Sequence, residues 1–188
     1  MTNQAAYLLR ENTGTSRVVE SARTAVSILA DHDIPHLIVG GIAVQEHGYP
    51  RVTIDVDIVV PDVLEAVDWL TASVTGPFYT VRDWPGRLED RRNGVFVDLL
   101  PAGRVLKHGC KVPFPEPKVV AEILQIVSLE ELISLKLDSW AGSPNKRLKD
   151  KADVNELILR RQLPRDLAVN PAIRSLYLET WDALAAEK

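Results

Sequence analysis

Residues 36–60 read HLIVGGIAVQEHGYPRVTIDVDIVV. The opening His36-Leu-Ile-Val39 predicts a short strand that runs into Gly40-Gly41. A short helix over about 42–48 should follow and end near Gly48, since glycine is the residue that most readily leaves a helix in the left-handed conformation. Residues 52–60, rich in β-branched side chains, predict a second strand, stopped by Pro61. Side chains two apart on a strand share a face. Thr53, Asp55, Asp57 and Val59 therefore fall on one side, and Ile54, Val56, Ile58 and Val60 on the other. Two neighbouring carboxylates on an otherwise apolar strand repel each other, and they need solvent or a cation between them. A wet edge strand satisfies that condition, and so does a metal site.

A lone acid in an apolar strand recurs at Asp98, in the run Gly94-Val-Phe-Val-Asp-Leu-Leu100. If that strand lies beside 52–60, three carboxylates converge. Oxygen donors on rigid strands are what hard divalent cations prefer, and two Mg²⁺ bridged by such acids can clamp an in-line phosphoryl displacement. Gly40-Gly41 has two readings as well. It can be a turn that needs positive φ, or a point where the backbone comes close to a phosphate beside a helix N-terminus.

Outward from this stretch, Val18, Ala22, Ala25 and Leu29 recur at helical spacing, which predicts an amphipathic helix over about 16–32. Tyr7, Leu8 and Leu9 could dock from a polar N-terminal segment. Asp62 with Glu65 opens a further helix whose apolar stripe runs from Val63 to Val74. Residues 79–82 are a possible strand, and Asn93-Gly94 predicts a hairpin between strands near 87–92 and 95–100. Pro113, Pro115 and Pro117 mark a loop and the one internal boundary. A strand is expected over 119–127. Ser128 with Glu131 forms a capping box for a helix to about Trp140, a turn follows at 141–145, and a helix is expected over about 146–161. The expected fold class is α/β (α+β): a mixed β-sheet flanked by helices over 1–117, then a mainly helical C-terminal lobe over 118–188.

Lys136 falls in the middle of the apolar stripe made by Leu129, Leu132, Ile133, Leu137 and Trp140. It either snorkels out to water or is held inside by a partner. The next helix carries Lys149, Asp150 and Asp153. Asp150 lies on the side of Val154 and Leu157, with Asp153 at its margin. Simple i,i+4 pairs with Lys146 or Lys149 would also explain these acids. Arg51 and Thr53 could touch phosphate, though Arg51 could equally be solvated. Arg87, Arg91 and Arg92 read as a solvated hairpin beside Glu89 and Asp90, or as a basic cluster for an acidic partner. His32, His36, His47 and His108 lack metal-ligand spacing, so zinc is not expected.

The 188 residues hold 22 Lys plus Arg against 26 Asp plus Glu, a net charge of −4, which disfavours a generic basic nucleic-acid binder. A single cysteine, Cys110, excludes an internal disulfide. The N-terminus lacks a basic region followed by an apolar stretch, and no run is long enough to span a bilayer. The expectation is a soluble cytoplasmic protein with no membrane partner.

Gly40-Gly41, thirteen residues, then Asp55-Val56-Asp57, flanked by Val39, Ile54 and Ile58, resembles the signature of the DNA polymerase β-like nucleotidyltransferase superfamily. Lys136, then Lys149-Asp150-x-x-Asp153-Val154, resembles the C-terminal motif of its AbiEii-like members, with Lys149 where that group often carries Arg. The resemblance spans about residues 36–160. It implies that Asp55, Asp57 and Asp98 hold two Mg²⁺ and that Gly40 and Gly41 contact the phosphates of an NTP. It further implies that Lys136 stabilises charge and that Asp150 or Asp153 positions that lysine or the acceptor. Such an enzyme moves NMP from an NTP to an acceptor hydroxyl and releases pyrophosphate. The AbiEii-like group includes toxins of toxin–antitoxin pairs, some acting on tRNA, so tRNA and an antitoxin are possible partners. The alternatives are a small-molecule, antibiotic-type nucleotidyltransferase, or a catalytically inactive nucleotide-binding partner or antitoxin module on the same fold.

Overall fold

The computed structural model describes residues 15–118 and 124–187. The chain order is α1 (Thr15–Asp31), β1 (Leu37–Val39), α2 (Gly40–Glu46), β2 (Asp55–Val60), α3 (Val63–Thr71), β3 (Phe78–Thr80), β4 (Arg87–Asp90) and β5 (Phe96–Pro101). It continues with α4 (Leu129–Gly142), α5 (Leu148–Arg161), a 3₁₀ turn (Pro171–Ile173) and α6 (Arg174–Ala186). The five strands form one mixed sheet in the order β1-β2-β5-β4-β3, in which β2 and β5 are parallel and the other neighbours antiparallel.

The period-two pattern of β2 explains the layering. Val56, Ile58 and Val60 face one core with Val97 and Leu99 of β5, covered by Val18, Ala22, Ala25, Val26 and Leu29 of α1 and by Ala66 and Leu70 of α3. On the opposite face Val59 joins Leu37 and Val39 of β1 in a second core. Leu132, Ile133 and Leu137 of α4, Val154 and Leu157 of α5, and Tyr177 of α6 complete it. The odd face of β2 therefore begins with Asp55 and Asp57 and only then becomes apolar, because the helices of the second core leave those first two positions uncovered.

Several sequence expectations shift. The glycine pair is the first turn of α2 rather than the residues before it. β2 starts at Asp55, and Ile54 is 75% exposed just ahead of it. α3 stops at Thr71, leaving Val74 in solvent, because nothing packs over that end of the stripe. Asp62 does cap α3, accepting from the backbone N–H groups of Leu64 and Glu65. β3 spans Phe78–Thr80 rather than 79–82. Of the strand expected over 119–127, residues 119–123 lie outside the described residues, as do Tyr7, Leu8 and Leu9. Ile126 forms a single parallel bridge to Ile38, through Ile38 N–H to Gln125 and Val127 N–H to Ile38. The Ser128–Glu131 capping box is present, and Asn93-Gly94 turns the β4–β5 hairpin with Gly94 at φ +73°.

Candidate active site

The sheet register assembles one row of side chains. Val39 of β1 pairs with Asp57 of β2, Asp57 with Asp98 of β5, and Asp98 with Arg87 of β4. Asp55 lies two residues before Asp57 on the same face. The row opens into a cleft of about 930 Å³ between the sheet and the helices of the second core. Its sheet side presents Asp55, Asp57 and Asp98, with Gly40 and Gly41 at the end of β1. The helix side presents Lys136, Arg147, Lys149 and Asp150, and the segment after β5 adds Lys107.

Gly40 takes φ +65°, and a β-carbon there would lie 2.7 Å from Cγ of Asp57, overlapping its carboxylate. A β-carbon on Gly41 would lie 2.6 Å from Cβ of Thr53. Both glycines are thus required by close approach to the acids' strand, which is a firmer reason than turn geometry. Thr53 is buried, and its hydroxyl donates to the Asp55 carboxylate at 3.2 Å. The Thr53 hydroxyl thus orients an acid of the row, and Thr53 also lines the cleft.

Burial pushes the Asp57 carboxyl up to about 6, helped by the neighbouring charges of Asp55 and Asp98, while Lys136 and Lys107 pull it back. Negative charge is accordingly under-compensated at this point. Among the described residues, no three acid, imidazole or thiolate groups stand ready as a metal cage. Both carboxylate oxygens of Asp98 accept from Arg87, from Nε and Nη2 at 2.6 Å each. Oxygen donors of this number, with surplus negative charge, nonetheless suit a hard divalent cation.

Lys136 does not snorkel. It is 9% exposed, and its Nζ lies 2.7 Å from Asp150 Oδ1 and 2.8 Å from Asp153 Oδ2. Arg51 grips Asp153 from the other side, with Nε at 2.6 Å and Nη2 at 2.9 Å. The Ser139 hydroxyl donates to Asp150 at 2.8 Å and accepts from Lys107 Nζ at 3.1 Å. Asp150 and Asp153 thus both hold Lys136, and the i,i+4 pairs with Lys146 and Lys149 give way to this cross-helix network. The Lys136 charges hold the Asp150 carboxyl below its usual range, against the opposing effect of burial.

Three cations have partners or positions that the sequence reading did not assign. Arg51 is bonded to Asp153 rather than solvated. Arg87 pairs with Asp98 rather than decorating a solvated hairpin, and in the same hairpin Asp90 is fully buried against Ser21 and Arg92. Lys107 reaches the cleft because buried Asp138 of α4 straps down its segment, accepting from Lys111 N–H and Val112 N–H at 2.8 and 2.9 Å. A two-residue turn at Asn93-Gly94 would have set Glu89 opposite Asp98; the turn closes instead between Asp90 and Val95, and this shift of two residues brings Arg87 opposite Asp98.

Taken together, the sheet order, the flanking helices and the acid row define the nucleotidyltransferase fold. Solved structures that share it include two of one protein. The solution structure of the antibiotic-resistance factor ANT(2'')-Ia superposes with a TM-score of 0.54 at 16% identity, covering 92% of this chain and 97% of that one. The crystal structure of ANT(2'')-Ia in complex with adenylyl-2''-tobramycin gives a TM-score of 0.53 at 14% identity, covering 92% and 98%. No family model and no curated protein matches the chain. The likeness carries the fold, and not the AbiEii-like subtype. No helix among the described residues is long and apolar enough to cross a membrane.

Proposed function

We propose that this protein is a nucleotidyltransferase that moves NMP from an NTP to a hydroxyl group of a small-molecule acceptor and releases pyrophosphate. The row Asp57–Asp98, with Asp55 beside it and Gly40 packed on Asp57, carries the reading. The antibiotic-type acceptor is favoured over tRNA because the ANT(2'')-Ia structures run the length of this chain with almost nothing left over. Lys107, Lys136, Arg147 and Lys149 line the cleft opposite Asp55 and Asp57, which suits a polyphosphate held between cations and an acid-bound divalent cation.

Asp55, Asp57 and Asp98 would hold Mg²⁺, which when bound neutralises phosphate charge and orients the reacting oxygens. Gly40 and Gly41 line the cleft beside Asp57, where their backbone would meet a phosphate. Lys136, Lys107, Arg147 and Lys149 meet the negative charge of the triphosphate and of the departing pyrophosphate. Lys136 is held by Asp150 and Asp153, so its ammonium needs no reorganisation as charge develops. Asp98 accepts the proton of the acceptor hydroxyl at its carboxylate oxygen as the new P–O bond forms. Catalysis of this kind rests on positioning and electrostatics.

The test is incubation of the purified protein with each α-labelled NTP and Mg²⁺, against tobramycin and related polyhydroxylated amines, and separately against total tRNA. Asp57→Ala is the control. Label on a small molecule, lost in the control, is the expected outcome. Label on tRNA alone would move the acceptor to RNA and revive the toxin reading with its antitoxin partner. NTP binding without transfer to anything would leave an inactive binding module.

A further inference from the structure

The row of paired residues does not end at the third acid. Antiparallel pairing of β4 with β5 sets Arg87 directly opposite Asp98, on the face that also carries Asp57. The guanidinium makes two parallel contacts of 2.6 Å, one to each carboxylate oxygen, the fork geometry in which Arg binds carboxylate most strongly. The same guanidinium lies 4.4 Å from the Trp84 ring centroid and 5.2 Å from that of Phe96. Trp84 and Phe96 are both exposed large apolar residues. Two aromatic faces therefore hold the cation whether or not it grips the acid.

A guanidinium and a divalent cation cannot share one carboxylate at full strength. Each needs its charge, and each repels the other at contact distance. Among the described residues Asp55 and Asp57 carry no such fork, although Asp55 accepts from the Thr53 hydroxyl. The three acids are thus unequal, with two offered to a cation and one withheld.

We propose that Arg87 is a positioning residue that competes with the divalent cation for Asp98, so that Asp98 joins the cation site only when the guanidinium lets go. The aromatic pair then keeps Arg87 beside the cleft, poised to return. This inference rests on the reading of Asp55, Asp57 and Asp98 as a cation site.

The experiment is a Mn²⁺ titration of the intact chain, with free Mn²⁺ followed by electron paramagnetic resonance. It covers the wild type, Arg87→Gln, Arg87→Lys, Asp98→Asn, Asp57→Ala and the Arg87→Gln/Asp98→Asn pair, with thermal melting of each. Loss of a charge-assisted competitor should tighten Mn²⁺ binding about tenfold in Arg87→Gln. Arg87→Lys, which keeps the charge but not the fork, should lie between the two and guards against a variant that simply fails to fold. In the Asp98→Asn background the Arg87→Gln change should have no further effect. Equal affinity in wild type and Arg87→Gln, lost in Asp57→Ala, would overturn the role of Arg87 and leave the cation site standing; a lowered melting temperature alone is the mark of a merely structural pair. Absence of Mn²⁺ binding in folded wild type and in Arg87→Gln alike would overturn the cation site, and this inference with it.

Discussion

Asp57 is the residue at which burial and like charge meet, and its titration can be read in the stability of the fold. Its carboxyl stands at about 6 in the folded protein against 3.8 for an ordinary carboxyl. The folded state therefore binds the proton more tightly than the unfolded chain. The penalty for ionisation is absent below about pH 4 and fully present above about pH 6, so stability falls as pH rises through that window. In the presence of a chelator, urea denaturation should show Asp57→Asn close to wild type at pH 4 and more stable by about 3 kcal/mol at pH 7. A difference that stays flat with pH would contradict this. At the same scale, Gly40→Ala forces a β-carbon onto the Asp57 carboxylate at φ +65°. The left-handed backbone alone should cost about 1–2 kcal/mol in denaturant melts, and NMP transfer should fall sharply with it. The acids and glycines were legible in the sequence because each broke an apolar pattern. Arg51 and Arg87 were not, since an arginine near a turn looks solvated until its partner from a distant segment is known.

The elements differ in how much of their role is local. α4 was readable in both extent and cap, because the Ser128–Glu131 box and the Leu132, Ile133, Leu137 stripe are properties of contiguous residues. The acid on its other side was not. Asp138 lies two residues from Lys136 and fastens the segment after β5 to α4 through Lys111 and Val112, delivering Lys107 to the cleft. Asp138→Ala should leave two backbone donors without their acceptor and lower stability by about 1–3 kcal/mol. If Lys107 serves the triphosphate, KM for the NTP should rise more than kcat falls. Steady-state kinetics on the variant checks this, and an unchanged KM would remove Lys107 from the proposed binding role. β2 shows the reverse limit. Its alternation gave the faces correctly, yet its first three expected residues, 52–54, lie outside the strand because no neighbouring strand reaches them.

Across the whole molecule, the C-terminal helices share one apolar cluster with the first two strands, through Leu37, Val39 and Val59 against Leu132, Val154, Leu157 and Tyr177. The partition at residue 117 is proposed as a division of roles, with Asp55, Asp57 and Asp98 before it and Lys136, Arg147 and Lys149 after it. It is not expected to be a division in stability. Thermal unfolding followed by far-ultraviolet circular dichroism and by tryptophan emission should give one coincident transition, since Trp69 belongs to α3 and Trp140 and Trp181 to the helices of the second core's side. Two separated transitions would show that the C-terminal helices form their own unit.

Local pattern within the sequence was enough for the strand faces, the helix caps, the hairpin turn and the identity of the acids, the glycines and Lys136, because alternation, capping and an out-of-place polar residue are all encoded within a few positions. The partners of those residues came from the folded chain alone. Arg87 on Asp98, Arg51 on Asp153, and Lys107 reaching Asp150 through Ser139 each join segments whose meeting is set by strand order, register and helix packing. Charge pairing acts over a few ångströms in space, whereas sequence spacing records only distance along the chain.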